Sequence, residues 1–271
     1  MLIVAERIAY VALSLRWSLW SEGAIYSIVK LMTKDCTTRR WRPWAWRSWE
    51  DLPPEFQTEV LRPYYELLRR RCLTRGAKRL ADLVLALLLG LILLLPALSL
   101  ALLIRLTSEG PALFCQERIG RYGRHFRIYK FRTMRPASGG PAPAVTTQDD
   151  PRVTPIGRVL RRFRLDEIPQ ILNILKGEMS FVGTRPESPR FLQAYSPEMY
   201  ATLLMPPGLT STAAVTFKDE AALLANATEA EAVYCRDVLP QKMCYNLEDL
   251  RSFSLWHEVK IIGRTALAIW R

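Results

Sequence analysis

Two adjacent acids, Asp166 and Glu167, stand directly behind a cluster of arginines, Arg158, Arg161, Arg162 and Arg164. Arginine recognises phosphate through its planar fork of donors. A carboxylate can hold Mg²⁺ or attack an electrophile. The two groups side by side point to phosphoryl chemistry. A plainer reading stays open on this stretch alone. Acids in a first helical turn offset the helix dipole, and arginines form solvated faces.

The elements that must position these groups are legible. Thr154-Pro155 reads as a helix start, with Thr154 as N-cap and Pro155 in the first position. At about 100° per residue, Ile156, Val159, Leu160 and Phe163 share one face, and Arg158, Arg161 and Arg162 the other. A second short helix is expected to close at Lys176-Gly177, with Leu165, Ile168, Ile171, Leu172 and Leu175 as its apolar face. Asp166, Gln170 and Asn173 point the other way, with Glu167 at the edge. Upstream, Ala112–Glu117 and Phe126–Met134 read as strands. Phe126, Ile128, Lys130 and Arg132 then face one way, which suits a phosphate or lipid surface. Pro136–Pro143 reads as a loop. Met179–Pro186 reads as a tight loop holding Arg185.

Further along, Glu187 onward reads as helical with a break at Pro197. Leu209–Phe217 reads as extended, Asp219–Tyr234 as a solvated helix, and Leu247–Trp270 as an apolar and basic helix able to lie on a bilayer.

The chain has 271 residues and a net charge of +12. That length allows one large domain or two small ones. The charge fits anionic partners: lipid, nucleic acid or phosphorylated substrates. Cys36, Cys72, Cys115, Cys235 and Cys244 show no paired spacing, which argues for reduced thiols facing the cytosol. His125 and His257 leave little room for a histidine metal site. Residues 1–34 mix apolar and charged residues without a secretory pattern, and read as interfacial or docking helices. Trp41, Trp44, Trp46 and Trp49 alternate with Arg39, Arg40, Arg42 and Arg47. A lipid interface ranks first for them, partner docking second and nucleic acid third. Glu55–Arg71 reads as an amphipathic helix.

Leu80–Ile104 is the one membrane-grade segment, with Asp82 its sole charge. Straight, it would reach about 37 Å, more than a hydrocarbon core of about 30 Å. Pro96 divides it, and basic residues flank both ends, as they do on a cytoplasmic side. A re-entrant helix and a kinked span both satisfy this pattern.

From Lys78 to Arg271 the chain resembles the bacterial sugar transferases, the monotopic polyprenyl-phosphate phosphoglycosyl transferases. The resemblance rests on motifs in order. They are Lys78-Arg79-Leu80-Ala81-Asp82, the mid-helix Pro96, and Glu109-Gly110-Pro111-Ala112-Leu113-Phe114 with Gln116 and Arg118. Tyr129-Lys130-Phe131-Arg132-Thr133-Met134, Leu165-Asp166-Glu167-Ile168-Pro169-Gln170 and Lys176–Gly183 follow. Residues 1–75 are expected to form a separate basic, Trp-rich extension, and 76–271 the transferase domain.

The resemblance implies an α+β, mostly helical fold: a re-entrant helix hairpin over 78–106, amphipathic interfacial helices and a small cytosolic catalytic domain with few strands. It implies attachment to the cytoplasmic face of the inner membrane. It implies transfer of a sugar-1-phosphate from a UDP-sugar to polyprenyl phosphate, releasing UMP, with Asp166 attacking and Glu167 binding Mg²⁺. By position, Lys130, Arg161, Arg185 and Glu258 match family residues, and with Arg132 and Arg158, read from their strand and helix faces, they are the expected substrate-binding residues. Membrane lipid is a partner, a homo-oligomer or a docked partner is possible through the extension, and no nucleic acid is expected. Two departures stand out: Arg164 replaces a family serine, and Pro206–Val215 differs from the family loop. An inactive relative acting as a membrane scaffold is the alternative.

Overall fold

The computed structural model describes residues 45–135, 150–217 and 230–270. They lie in a compact unit that runs from Pro43 to Arg271. The expectations for the first helices, for Trp41, Trp44 and Cys36, for the loop at 136–143 and for most of the helix from Asp219 fall outside the described residues.

Where it is described, the tryptophan arm packs on the body of the chain. Trp46 and Trp49 pack on Tyr65, with ring centroids 5.2 and 5.1 Å away. They lie against a core that includes Leu52, Phe56, Leu61, Leu68, Tyr122 and Leu204. Leu52, Phe56, Leu61, Tyr64, Tyr65 and Leu68 therefore share a core with later segments.

The helix expected from Glu55 starts later, as α1 (Arg62–Arg70), after a 3-10 turn at Pro54–Phe56. The Gln57 amide donates to the Leu52 carbonyl at 2.8 Å, which holds the chain in a loop there.

Two helices follow, α2 (Cys72–Ile92) and α3 (Leu94–Thr107). They are bent by 59°. The break falls at Leu93, three residues before Pro96, which sits in the first turn of α3. Proline acts on the carbonyl four residues back, here Ile92: it offers no N–H to it and its ring crowds it. Among the described residues no single helix is long and apolar enough to cross a membrane; only the bent pair qualifies, by length and composition together. One face of α2 packs Ala86, Leu85 and Leu89 against Ile171, Ile174, Phe181 and Ile261. Leu80, Leu87, Leu91, Ile92, Leu95 and Leu98 are exposed, a patch that water alone does not favour.

β1 (Leu113–Ile119) and β2 (His125–Phe131) form an antiparallel hairpin in which Phe114 pairs with Lys130. Tyr122 turns the hairpin with a left-handed backbone, φ 58°. α4 (Pro155–Arg162) begins as expected, with Thr154 Oγ1 accepting from the Gly157 N–H at 3.0 Å. Its apolar stripe is only partly covered. Leu160 is buried, while Val159 and Phe163 are half-exposed. A 3-10 turn at Leu165–Gln170 carries the two acids into α5 (Ile171–Lys176), which Gly177 ends in the left-handed region at φ 83°.

β3 (Ser180–Val182) pairs in parallel with β4 (Gly208–Thr210). Between them the expected helix from Glu187 is two 3-10 helices, Pro189–Ala194 and Pro197–Leu204, each opened by a proline. The extended run expected through Phe217 stops at Thr210. Ser211 Oγ accepts from the Ala214 N–H at 3.1 Å and caps α6 (Thr212–Thr216) instead.

The chain continues as α7 (Ala230–Val233), a π turn at Tyr234–Val238 and α8 (Leu239–Arg251). Tyr234 was expected on a solvated helix. It is buried, and its hydroxyl donates to Glu187 Oε1 at 2.7 Å. The single helix expected over Leu247–Trp270 is broken at Ser252–Ser254 before α9 (Leu255–Trp270). There Phe253 turns into the core, and its carbonyl accepts from the Arg71 guanidinium.

Candidate active site

The two acids sit where the 3-10 turn meets β2. Asn173 fixes that contact. Its side-chain oxygen accepts from the Tyr129 N–H at 3.1 Å, and its amide donates to the Arg127 carbonyl at 2.8 Å. Thr133 closes the far end, because its carbonyl lies where a Cβ on Gly157 would have to go. Strand, arginine helix and acid turn are thus held together by one buried amide and one missing side chain.

Glu167 is the hub. Its Oε1 lies 2.7 Å from Arg185 Nη2, 3.2 Å from Lys130 Nζ and 3.8 Å from Arg164 Nη1. Burial pushes its carboxyl up, but Arg185 and then Lys130 outweigh burial and hold it well below the usual carboxylate range. Lys130 shows the reverse balance. Burial lowers its pKa, and Glu167 recovers only part.

Asp166 is different. It is buried, yet among the described residues its carboxylate forms no hydrogen bond or ion pair. Burial raises its pKa, with Lys130 opposing and Glu167 adding to the rise. A mostly buried carboxylate with no bonded partner is poised to react or to accept a ligand. Gln170, 1% exposed, adds an orphaned donor one turn on, since its Nε2 has no acceptor.

Arg185 reaches Glu167 because its loop is pinned from behind. Asp82 accepts from the Ser180 hydroxyl at 2.8 Å and from the Phe181 N–H at 3.2 Å. Lys78 Nζ donates to the Val182 carbonyl at 3.0 Å. Gly183 and Gly208 then cross so closely that a Cβ on Gly208 would strike the Gly183 backbone.

Not every expected residue converges here. Arg161 lies within electrostatic reach of Asp166, and its Nε donates to Thr133 Oγ1 at 3.0 Å. Arg158 is exposed on α4. Arg132 turns away, donating to the Ser108 carbonyl and hydroxyl, both at 2.8 Å. Glu258 pairs with Lys78 at 2.7 Å, away from the Glu167 hub. Conversely, Arg164 joins the hub, although the sequence named it in the arginine cluster and as a replaced serine without a binding role. Its left-handed backbone, φ 55°, turns it towards Glu167. Arg118, singled out only as part of a motif, braces Gln116 Oε1 at 2.7 Å and the Pro186 carbonyl at 3.5 Å. Its period-two spacing from Gln116 on a strand was the available signal.

Known proteins share this arrangement's sequence. Residues 73–271 match the family model described as bacterial sugar transferase. The chain is 37% identical over 253 residues to the undecaprenyl-phosphate glucose phosphotransferase of Komagataeibacter xylinus, covering 89% of this chain and 42% of that protein. It is 39% identical over 218 residues to the UDP-glucose:undecaprenyl-phosphate glucose-1-phosphate transferase of Caulobacter vibrioides, covering 79% and 77%. The protein of that name from Escherichia coli K12 is 35% identical over 196 residues, covering 70% and 39%. The chain thus spans less than half the length of the first and third of these relatives. The 89% coverage exceeds what residues 73–271 could supply, so the likeness reaches into the segment ahead of residue 73, which the motifs alone had left outside.

Proposed function

Since the chain belongs to the bacterial sugar transferase family, we propose that it moves a sugar-1-phosphate from a UDP-sugar to polyprenyl phosphate, in two steps at Asp166. The observation that carries this reading is the buried, unpaired Asp166 carboxylate beside a Glu167 already held by Lys130 and Arg185.

In the first step an Asp166 carboxylate oxygen attacks the β-phosphorus of the donor. The bond from that phosphorus to the bridging oxygen breaks, and UMP leaves with the electron pair. This forms an acyl-phosphate on Asp166 that carries the sugar. In the second step an oxygen of polyprenyl phosphate attacks the same phosphorus. The carboxylate departs unchanged, and the product is a polyprenyl diphosphate sugar. The chain's part is to neutralise the crowded anionic centre. Lys130, Arg161, Arg164 and Arg185 lie around the dyad for that purpose.

The donor set fits Mg²⁺, a hard cation that takes one or two carboxylates together with substrate phosphates and water. Asp166 has an unpaired carboxylate, and the cations around Glu167 converge on one oxygen, Oε1. Glu167, with Asp166 beside it, would hold the ion, which would supply further charge neutralisation at the diphosphate when bound. Among the described residues no cluster of three or more His, Cys, Asp or Glu builds a closed cage.

The bent pair α2–α3 would enter and leave the cytoplasmic leaflet of the inner membrane, holding the dyad near lipid phosphates. The exposed leucines of that pair support the placement. Two of the relatives above are named for UDP-glucose, so it is the first donor to test. Purified chain, Mg²⁺ and undecaprenyl phosphate should release UMP from UDP-glucose or another UDP-sugar of a panel, and Asp166→Asn should not. No UMP release from any donor would sink the reading.

A further inference from the structure

Behind the Arg185 loop lies a second buried acid that the two steps above do not use. Glu187 stands two residues after Arg185, and its side chain is 8% exposed. Its Oε1 accepts from the Tyr234 hydroxyl at 2.7 Å and lies 3.5 Å from Lys242 Nζ. Lys242 also donates to the Tyr234 hydroxyl at 3.0 Å and stands over the Tyr234 ring, 5.0 Å from its centroid. Tyr234 and Lys242 are buried too, and Tyr234 packs in a cluster with Phe191, Leu239 and Met243. Three polar side chains are thus taken out of water together. One comes from the Arg185 loop, one from the π turn and one from α8.

Such a cluster is a poor way to gain stability. Desolvating a carboxylate and an ammonium offsets much of their attraction, and apolar side chains of similar volume are often at least as stable there. What a hydrogen-bonded buried cluster does supply is rigidity and one defined arrangement. Here that arrangement is imposed on the segment carrying Arg185. Ahead of Arg185, the Thr184 carbonyl accepts from the Gly208 N–H at 2.8 Å. Beyond it, the Glu187 carbonyl accepts from the Ile119 N–H at 2.9 Å, and Pro186 restricts φ in between. Arg185 therefore projects from backbone held on both sides, and its Nη2 meets Glu167 Oε1 at 2.7 Å. Arg118 ties the two acids electrostatically. Burial lowers its pKa, Glu187 opposes that most, and Arg185, Tyr234 and Glu167 are all felt at its guanidinium. Two arginines share this neighbourhood, and Glu187 offsets Arg118 while Glu167 takes Arg185.

We infer that Glu187, gripped by Tyr234 and Lys242, is a positioning residue for Arg185: it fixes how the Arg185 guanidinium reaches Glu167 and the donor phosphates. The π turn and α8 thereby bear on the reaction through one carboxylate. π turns are rare and occur often at functional sites, which fits the place of Tyr234 at the start of one. This role exists only if the transfer proposed above takes place at the hub.

UMP release would be measured for the full native chain, Glu187→Gln, Arg185→Lys and the double variant, each checked for folding by circular dichroism. Glu187→Gln keeps the shape and an acceptor for Tyr234 but removes the charge. It should lower kcat/KM by about 10- to 100-fold, the scale of a reacting group held slightly out of place. In the Arg185→Lys background the guanidinium is gone, and the same substitution should cost less than about twofold. A purely structural role would instead give independent losses that add. Tyr234→Phe removes one hydroxyl. It should lower kcat/KM about threefold in the native background and leave Arg185→Lys unaffected, and it carries the test if Glu187→Gln does not fold. Native kcat/KM in folded Glu187→Gln overturns the role, as do losses that add. If the native chain releases no UMP, the proposed function falls and this role with it. If it releases UMP and the losses add, the role falls alone.

Discussion

Lys78 Nζ and Glu258 Oε1 lie 2.7 Å apart, and their side chains are 2% and 14% exposed. The pair joins α2 to α9 directly behind β3, whose Val182 carbonyl also accepts from Lys78. Burial raises the Glu258 pKa, and Lys78 opposes it. Helices α2 and α9 are thus tied to the strand that delivers Arg185.

Breaking that tie should cost stability. Lys78→Met leaves a buried carboxylate without its cation, and is expected to destabilise by roughly 3 kcal/mol. Adding Glu258→Leu should recover much of the loss, because an apolar pair of similar volume replaces a desolvated ion pair. Chemical denaturation in detergent would measure both. A Lys78→Met chain as stable as the native one would show that the pair carries no structural role.

Asp166→Asn keeps the shape of the side chain and removes the attacking anion. Transfer should fall on the order of 10⁴-fold or more, as when a group that acts at the reacting atom is lost. Intact-mass measurement after mixing with donor alone should show a phosphosugar adduct on the native chain only.

Arg185 and Glu167 should be energetically coupled. Glu167→Gln leaves Lys130 and Arg185 facing each other without their shared anion. Arg185→Gln alone frees one oxygen of Glu167. A double-mutant cycle on kcat/KM should give an interaction of about 1–3 kcal/mol. Strict additivity would mean that the 2.7 Å contact does not persist in the working enzyme.

The pH profile should be narrower than free side chains would give. Asp166 must be ionised to attack, and burial raises its pKa, so the acid limb should lie above the ordinary aspartate range. Lys130 must keep its proton to neutralise charge, and burial lowers its pKa, so the alkaline limb should fall below the ordinary lysine range. Lys130→Met removes the cation that holds Asp166 down, so the acid limb should move higher still. The stability linkage has a definite sign. A carboxyl with a raised folded pKa favours the folded state most below its unfolded pKa, and that contribution is lost as pH rises through the folded value. Rate–pH curves of kcat/KM for native and Lys130→Met chains would check the limbs.

The bend should decide topology. In a background without other cysteines, Cys72 at the start of α2 and a Thr107→Cys at the end of α3 should both resist a membrane-impermeant thiol reagent added outside spheroplasts. Both should label in inside-out vesicles. Opposite labelling of the two ends would show a crossing helix and remove the re-entrant placement.

Much was readable from local chemistry. Thr154-Pro155 named its own helix start, Lys176-Gly177 its own helix end, and the period-two alternation put Ile128 and Lys130 on one strand face. Such signals depend on neighbours in sequence, and the backbone obeys them. Local chemistry also named Asp166 and Glu167 as the groups able to do phosphoryl work. It misjudged segments whose form depends on distant partners. Ser252–Ser254 breaks a continuous apolar pattern because Phe253 has a core to enter. Trp46 and Trp49 pack on Tyr65, a contact between residues too far apart in sequence for local spacing to announce.

The chain's order alone determined the membrane-grade segment, the paired acids and the surplus of arginine, since these are matters of residue type and spacing. Only the tertiary structure decided which cations face Glu167. Lys130, Arg164 and Arg185 come from three separate segments, and their convergence on one oxygen depends on Asn173, Asp82, Lys78 and two crossing glycines. It also sent Arg132 to Ser108 and Glu258 to Lys78. Charge is a property of a residue, but pairing depends on distance, and distance between remote residues is set by packing.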